Sequence, residues 1–139
     1  MKNAHFLNQV TPTLRRLFLE VDKRVQVEIL PSTIRTMEQQ KEYFAAGTSK
    51  TLDSKHLIIP GTREFSEAVD AGPYGFKWPK EGDKDYWKDW AKIYYFAGFV
   101  MCVANDLKIP IRYGGDWDGD FDLKDQNFYD GVHFEEMKK

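Results

Sequence analysis

Ile93-Tyr94-Tyr95-Phe96-Ala97-Gly98-Phe99-Val100-Met101-Cys102-Val103-Ala104 is followed closely by Ile109-Pro110-Ile111-Arg112-Tyr113, and the change of rhythm between the two stretches decides the fold. Tyr86, Trp90, Ile93, Ala97, Val100, Ala104 and Leu107 recur at a 4-3-4-3 spacing. That spacing predicts one long helix starting near Asp85, with its aromatic residues in the core. The apolar run is shorter than the roughly 20 residues needed to cross a bilayer, so a core helix is expected and no membrane insertion. The second stretch reads as a strand that Gly114-Gly115 breaks.

Working outward, Thr11-Pro12 has the form of a helix start, a hydroxyl cap followed by proline in the first turn. Leu14, Leu17, Phe18 and Val21 then lay down an apolar stripe. Val25-Gln26-Val27-Glu28-Ile29 alternates as a half-buried strand does, and Thr36 to Ala46 predicts a second helix ending at Gly47. Residues 48–82 are rich in Gly, Pro, Ser and Thr and are expected to be mostly loop. After Gly115 an acidic loop runs to Asp130, and Val132 to Glu135 is the last expected strand. Helices around a small antiparallel sheet make an α+β domain, with any site in a cleft on the sheet.

Length and composition bound the function. A chain of 139 residues suits one compact domain, 1–139, with no separate binding module. The formal charge of -2 argues against a nucleic-acid partner. Cys102 is the only cysteine, which excludes an internal disulfide and an all-thiolate metal site, and its apolar surroundings predict a packed core thiol. Met1-Lys2-Asn3-Ala4-His5 lacks the apolar region of a secretion signal, so synthesis in the cytoplasm without a signal peptide is expected.

Any metal must therefore rest on histidine and carboxylates. Of three histidines, His5 stands near the terminus without suitable neighbours. His56, in Ser54-Lys55-His56, precedes Ala68-Val69-Asp70, and His133 follows Asp130 by three residues. Two imidazoles, one carboxylate ligand and one further carboxylate are the minimum kit of a hydrolytic zinc centre, which keeps an open position for water and a general base nearby. Asp70 is taken as ligand and Asp130 as base; spacing alone leaves the reverse open. Strand alternation puts Glu135 on the same face as His133, within reach of supporting it.

At these residues the chain resembles the zinc-dependent peptidoglycan peptidases related to D-alanyl-D-alanine carboxypeptidases and dipeptidases. It looks most like the single-domain phage endolysins that act as L-alanyl-D-glutamate peptidases. The matching motifs are Ile34-Arg35-Thr36 with Gln39, Gly47-Thr48-Ser49, Ser54-Lys55-His56, Ala68-Val69-Asp70 with Pro73-Tyr74, Tyr113-Gly114-Gly115-Asp116-Trp117, and Asp130-Gly131-Val132-His133-Phe134-Glu135. They run in family order.

The resemblance implies zinc held by His56, Asp70 and His133, with Asp130 as catalytic base. Arg35 would face the scissile carbonyl or a substrate carboxylate, and Gln39 would support Arg35 or touch substrate. Ser54 would orient its loop. It also implies a monomer acting on bacterial peptidoglycan, at the L-alanyl-D-glutamate bond, once the host membrane is permeabilised. The alternatives are a D,D- or L,D-carboxypeptidase for wall remodelling, and a non-catalytic wall- or calcium-binding module. One spacing departs from the family: Asp70 lies fourteen positions after His56 instead of the usual seven. The intervening loop is expected to line the cleft, and Glu64 or Glu67 is an alternative ligand. Asp116, Asp118 and Asp120 supply alternating carboxylates suited to Ca2+, although the loop lacks the glycine and glutamate positions of an EF-hand.

Overall fold

The computed structural model describes residues 1–49, 51–123 and 130–137. In chain order the elements are α1 (Pro12–Asp22), β1 (Val27–Ile29), α2 (Met37–Ala45), β2 (Ala68–Pro73), α3 (Tyr86–Asp106), β3 (Ile111–Tyr113) and β4 (His133–Glu136), with short 3-10 turns at Ala4–Gln9 and Pro31–Thr33. The four strands form one antiparallel sheet in the order β1-β2-β4-β3. This is the α+β arrangement expected.

Local chemistry accounts for the helices. The Thr11 hydroxyl accepts from the Leu14 N–H, and α1 buries Leu14, Leu17, Phe18 and Val21. Thr36 and Gln39 form a reciprocal capping box at the start of α2. Along α3 the buried positions include Ile93, Phe96, Ala97, Val100, Val103 and Ala104. α1 and α3 pack together, and both contribute to a core shared with Val69, Ala71, Ile111, Tyr113 and Phe134 of the sheet.

Strand alternation then separates two surfaces of the sheet. Val69, Ala71, Phe134, Ile111 and Tyr113 join the helix-side core, so the intervening Asp70, His133, Glu135 and Arg112 project from the other face. Register sets their pairing: Asp70 lies opposite His133, and Arg112 opposite Glu135. The pleat brings these four polar side chains together on one face.

Three expectations need correction, the first being that the aromatic residues of α3 lie in the core. Phe96 alone of them is buried, while Trp87, Tyr94 and Tyr95 are exposed, because a helix that packs along one stripe turns the residues between the stripe positions to its outer side. The stretch expected to be mostly loop is so outside β2, a strand that pairs with both β1 and β4. Ala68-Val69-Asp70-Ala71-Gly72-Pro73 has one β-branched residue and ends in Gly-Pro, so intrinsic preference gives little sign of it, and pairing on both sides overrides propensity. β1 is shorter than expected, and all three of its residues are buried, because Glu28 is covered and accepts from the Gly75 and Phe76 N–H groups. Cys102 is exposed, not packed in the core. It lies two positions beyond Val100, about 200° around the helix, which turns it away from the seam.

Candidate metal centre

His56, Asp70 and His133 come from a loop and two paired strands, and all three are buried. His56 is set by its own segment: the Ser54 hydroxyl accepts its backbone N–H at 3.1 Å, and its carbonyl accepts from the Arg35 N–H at 3.3 Å. Its Nδ1 lies 3.1 Å from the Thr33 carbonyl, which can only accept, so Nδ1 carries the proton and Nε2 a lone pair. His133 is fixed the other way round. Its Nε2 lies 2.9 Å from the Glu135 carboxylate, leaving Nδ1 to face inward.

The inward atoms are His56 Nε2, His133 Nδ1 and Asp70 Oδ1, separated by 2.9, 3.1 and 3.5 Å. Asp70 Oδ1 is buried without a hydrogen-bond partner, an expensive arrangement unless a cation meets it. A proton on His133 Nδ1 can serve one of its two neighbours; a divalent ion serves all three. Ligands about 2.0–2.2 Å from a tetrahedral ion lie roughly 3.3–3.6 Å apart, which matches the widest of the three separations and exceeds the other two by a few tenths of an ångström. The donor set fits zinc.

The other Asp70 oxygen is held from behind. Oδ2 accepts from the Ser32 hydroxyl at 2.6 Å and from Arg35 Nη2 at 3.3 Å, while Thr33 Oγ1 accepts from the Asp70 N–H and donates to its carbonyl. Arg35 is braced in turn by the Ser32 carbonyl, Gln40 Oε1 and the Tyr43 ring. Gln40 is fully buried and also donates to Ser49 and the Thr51 carbonyl, tying the arginine to the cavity wall. Gln39, by contrast, uses its side chain to cap α2. The residue that supports Arg35 is therefore Gln40, a correction of one position.

Asp130 stands at the cavity edge, its carboxylate 3.9 Å from His133 Nδ1. Gly114 makes that approach possible. A Cβ there would sit 2.3 Å from the Asp130 carbonyl and 2.9 Å from the His133 Cβ, and the Gly114 backbone bonds to both residues. A cavity of about 280 Å³ opens over the group, lined among others by Arg35, Lys55, Arg112, Trp117 and Asp130.

Protonation reflects the same electrostatics. Burial pushes the Asp130 carboxyl up to about 6, with the nearby Asp70 charge adding to the shift. Burial lowers His56 and would lower His133, but the Asp70 and Glu135 carboxylates beside it outweigh burial and raise His133 to about 9. Burial opposes ionisation of Asp70 as well, yet the two histidines hold its carboxyl well below the ordinary range. Without a metal, the cluster draws in a proton instead.

Residues 2–137 match the family described as phage L-alanyl-D-glutamate peptidase. The chain belongs to that family. A crystal structure of the Serratia marcescens L-Ala D-Glu endopeptidase ChiX is similar, with a TM-score of 0.63 and 25% identity over 96% of this chain and 84% of that one. Comparison with curated protein sequences gives no match.

Several expectations about this peptidase can now be placed. Glu64 accepts from the Gly61 N–H and Glu67 pairs with Lys55, so neither takes the place of Asp70 beside His56. The segment between His56 and Asp70 folds into a tight turn through the Ile59–Arg63 bridge, and none of residues 57–66 lines the cavity. Asp116, Asp118 and Asp120 do gather their carboxylates in one loop; residues 124–129 of the expected acidic stretch lie outside the described residues. Sequence reasoning missed Ser32, Thr33 and Gln40, which carry no motif of their own.

Proposed function

We propose that this L-alanyl-D-glutamate peptidase cleaves the stem peptide of peptidoglycan with one zinc ion held by His56, Asp70 and His133. The observation that carries the reading is the convergence of three lone-pair atoms, one of them the orphaned Asp70 Oδ1, on a single buried point. When bound, such an ion supplies Lewis acidity, lowering the pKa of water and polarising a carbonyl.

The chain's own groups do the rest. Asp130, at the cavity edge with its carboxylate 3.9 Å from His133 Nδ1, is placed to take a proton from the attacking water and hand it to the leaving amine. Arg35 lines the cavity with a fixed charge and steadies developing negative charge on the carbonyl oxygen or holds a substrate carboxylate. Ser32, Thr33 and Gln40 keep Asp70 and Arg35 in place, so little reorganisation is needed during the reaction.

The reading takes the whole chain as one catalytic domain, supported by a single core cluster joining both long helices to the sheet. Among the described residues no helix is long and apolar enough to cross a membrane. In this reading the enzyme acts as a monomer and reaches the wall after the membrane is opened. The Asp116/Asp118/Asp120 loop is a secondary candidate for Ca2+, a cation that takes six to eight oxygens.

The test is mass spectrometry of fragments released from purified peptidoglycan, paired with metal analysis of the same protein. New L-alanine carboxyl termini and D-glutamate amino termini are expected, with about one zinc per chain and loss of release on chelation. Release that persists in metal-stripped protein would remove the zinc mechanism, and release of D-alanine alone would favour the carboxypeptidase.

A further inference from the structure

β4 carries a second buried carboxylate that no step above uses. Glu135 is 5% exposed and sits between two donors: its Oε1 lies 2.9 Å from His133 Nε2, and its Oε2 accepts from Arg112 Nη2 at 3.0 Å. The arginine is its direct cross-strand partner. The Arg112 guanidinium lies over the Trp117 ring at 5.2 Å, and that ring lies 5.2 Å from the His133 ring. These contacts close a loop of side chains behind the second imidazole.

We propose that Glu135 is a positioning residue: it holds the proton of His133 on Nε2, and so presents the Nδ1 lone pair to the metal, with Arg112 fixing the carboxylate. The inference rests on the zinc reading above and adds to it the device that selects the ligating nitrogen. A neutral imidazole carries one N–H, and an ionised carboxylate can only accept, so the contact permits one tautomer. The free nitrogen is then the one beside His56 Nε2 and Asp70 Oδ1. A carboxylate held by an arginine on its far side cannot swing away from this duty. Glutamine at the same position would keep the volume and lose the direction, because its amide both donates and accepts.

The experiment titrates Zn2+ into metal-free protein against a competing chromophoric chelator, and follows imidazole nitrogens and ring protons by NMR in 15N-histidine-labelled samples. In the zinc-loaded wild type, His133 should carry a protected proton on Nε2 and none on Nδ1. Glu135→Gln should weaken zinc binding by roughly 10–100-fold and speed exchange of that proton. Arg112→Met should move both readouts in the same direction by less; since Arg112 is half exposed on the edge strand, this variant keeps the test available if Glu135→Gln does not fold.

Zinc affinities within twofold of wild type in both variants would overturn the proposal, as would a proton on His133 Nδ1 in the loaded wild type. A drop in melting temperature with unchanged zinc affinity would also overturn it, since Glu135 would then only tie two strands together. Wild-type protein that takes up no Zn2+ would remove the zinc reading itself, an outcome distinct from these.

Discussion

Two groups of ligand-type side chains lie among the described residues, His56/Asp70/His133 and Asp116/Asp118/Asp120, and they differ in what their atoms lack. In the first, the surroundings consume every outward-facing atom: Thr33 and Glu135 take the imidazole protons, and Ser32 and Arg35 take one oxygen of Asp70. Three inward atoms are left with nothing but each other. In the loop, the carboxylates serve their own backbone, since Asp116, Asp118 and Asp120 accept from the N–H groups of Phe121, Asp120 and Asp122. Only Asp116 Oδ1 is enclosed without a hydrogen-bond partner, and burial raises the pKa of that residue. Proximity of donors is common to both groups; unmet demand for positive charge is concentrated in one.

The largest effect expected from that contrast comes from removing a ligand. His133→Ala should abolish both bound zinc and peptide release, because two protein ligands do not make a closed site and the Asp70 carboxylate loses its partner. Metal analysis beside a peptidoglycan digest checks it; a variant that keeps stoichiometric zinc would put the ion elsewhere. Asp130→Ala should separate the two properties. Zinc should stay, while turnover falls by about 10²–10⁴-fold, the range for loss of a positioned general base. Full turnover in that variant would remove the base assignment and reopen the question of which carboxylate moves the proton.

Next in size is the brace behind the site. Gln40→Ala removes a buried amide that serves Arg35, Ser49 and Thr51, and should cost roughly 1–3 kcal/mol of stability while weakening substrate binding more than zinc binding. Gln39→Ala affects only the cap of α2 and should cost about 1 kcal/mol at most, with kcat/KM unchanged. Thermal melts and steady-state kinetics on the pair check the order. Equal kinetic defects would place Gln39 at the substrate after all.

This pair also shows where sequence reading reached its limit. The motif located the right helix, but one residue along a helix turns a side chain by about 100°, enough to exchange a buried brace for a cap. The apolar stripes of α1 and α3 were legible because each repeats over several turns. The candidate ligands were legible because histidines are few and sit in ordered motifs, whereas β2, which carries Asp70, was not: its strand character comes from neighbours on both sides. Thr33 illustrates the same limit. Its hydroxyl and carbonyl hold Asp70 and His56 across long sequence separations, and nothing local to Pro31-Ser32-Thr33 announces it.

The smallest expected effect belongs to the acidic loop. Any Ca2+ there must compete with hydrogen bonds that occupy one oxygen of each aspartate, and even with all their carboxylate oxygens freed the three reach only the lower end of the six to eight that a bound Ca2+ takes. Binding in about the 10⁻⁴–10⁻³ M range is therefore expected, stabilising the fold by only RT ln(1 + [L]/Kd) and raising the melting temperature by roughly one to five degrees at millimolar Ca2+. The double variant Asp118→Asn with Asp120→Asn should erase that increment and leave zinc content untouched. A shift of many degrees at micromolar Ca2+ would break the contrast, because it would mean that these carboxylates exchange their backbone partners for an ion at little cost, and that hydrogen bonding within a loop is no guide to whether it wants a cation.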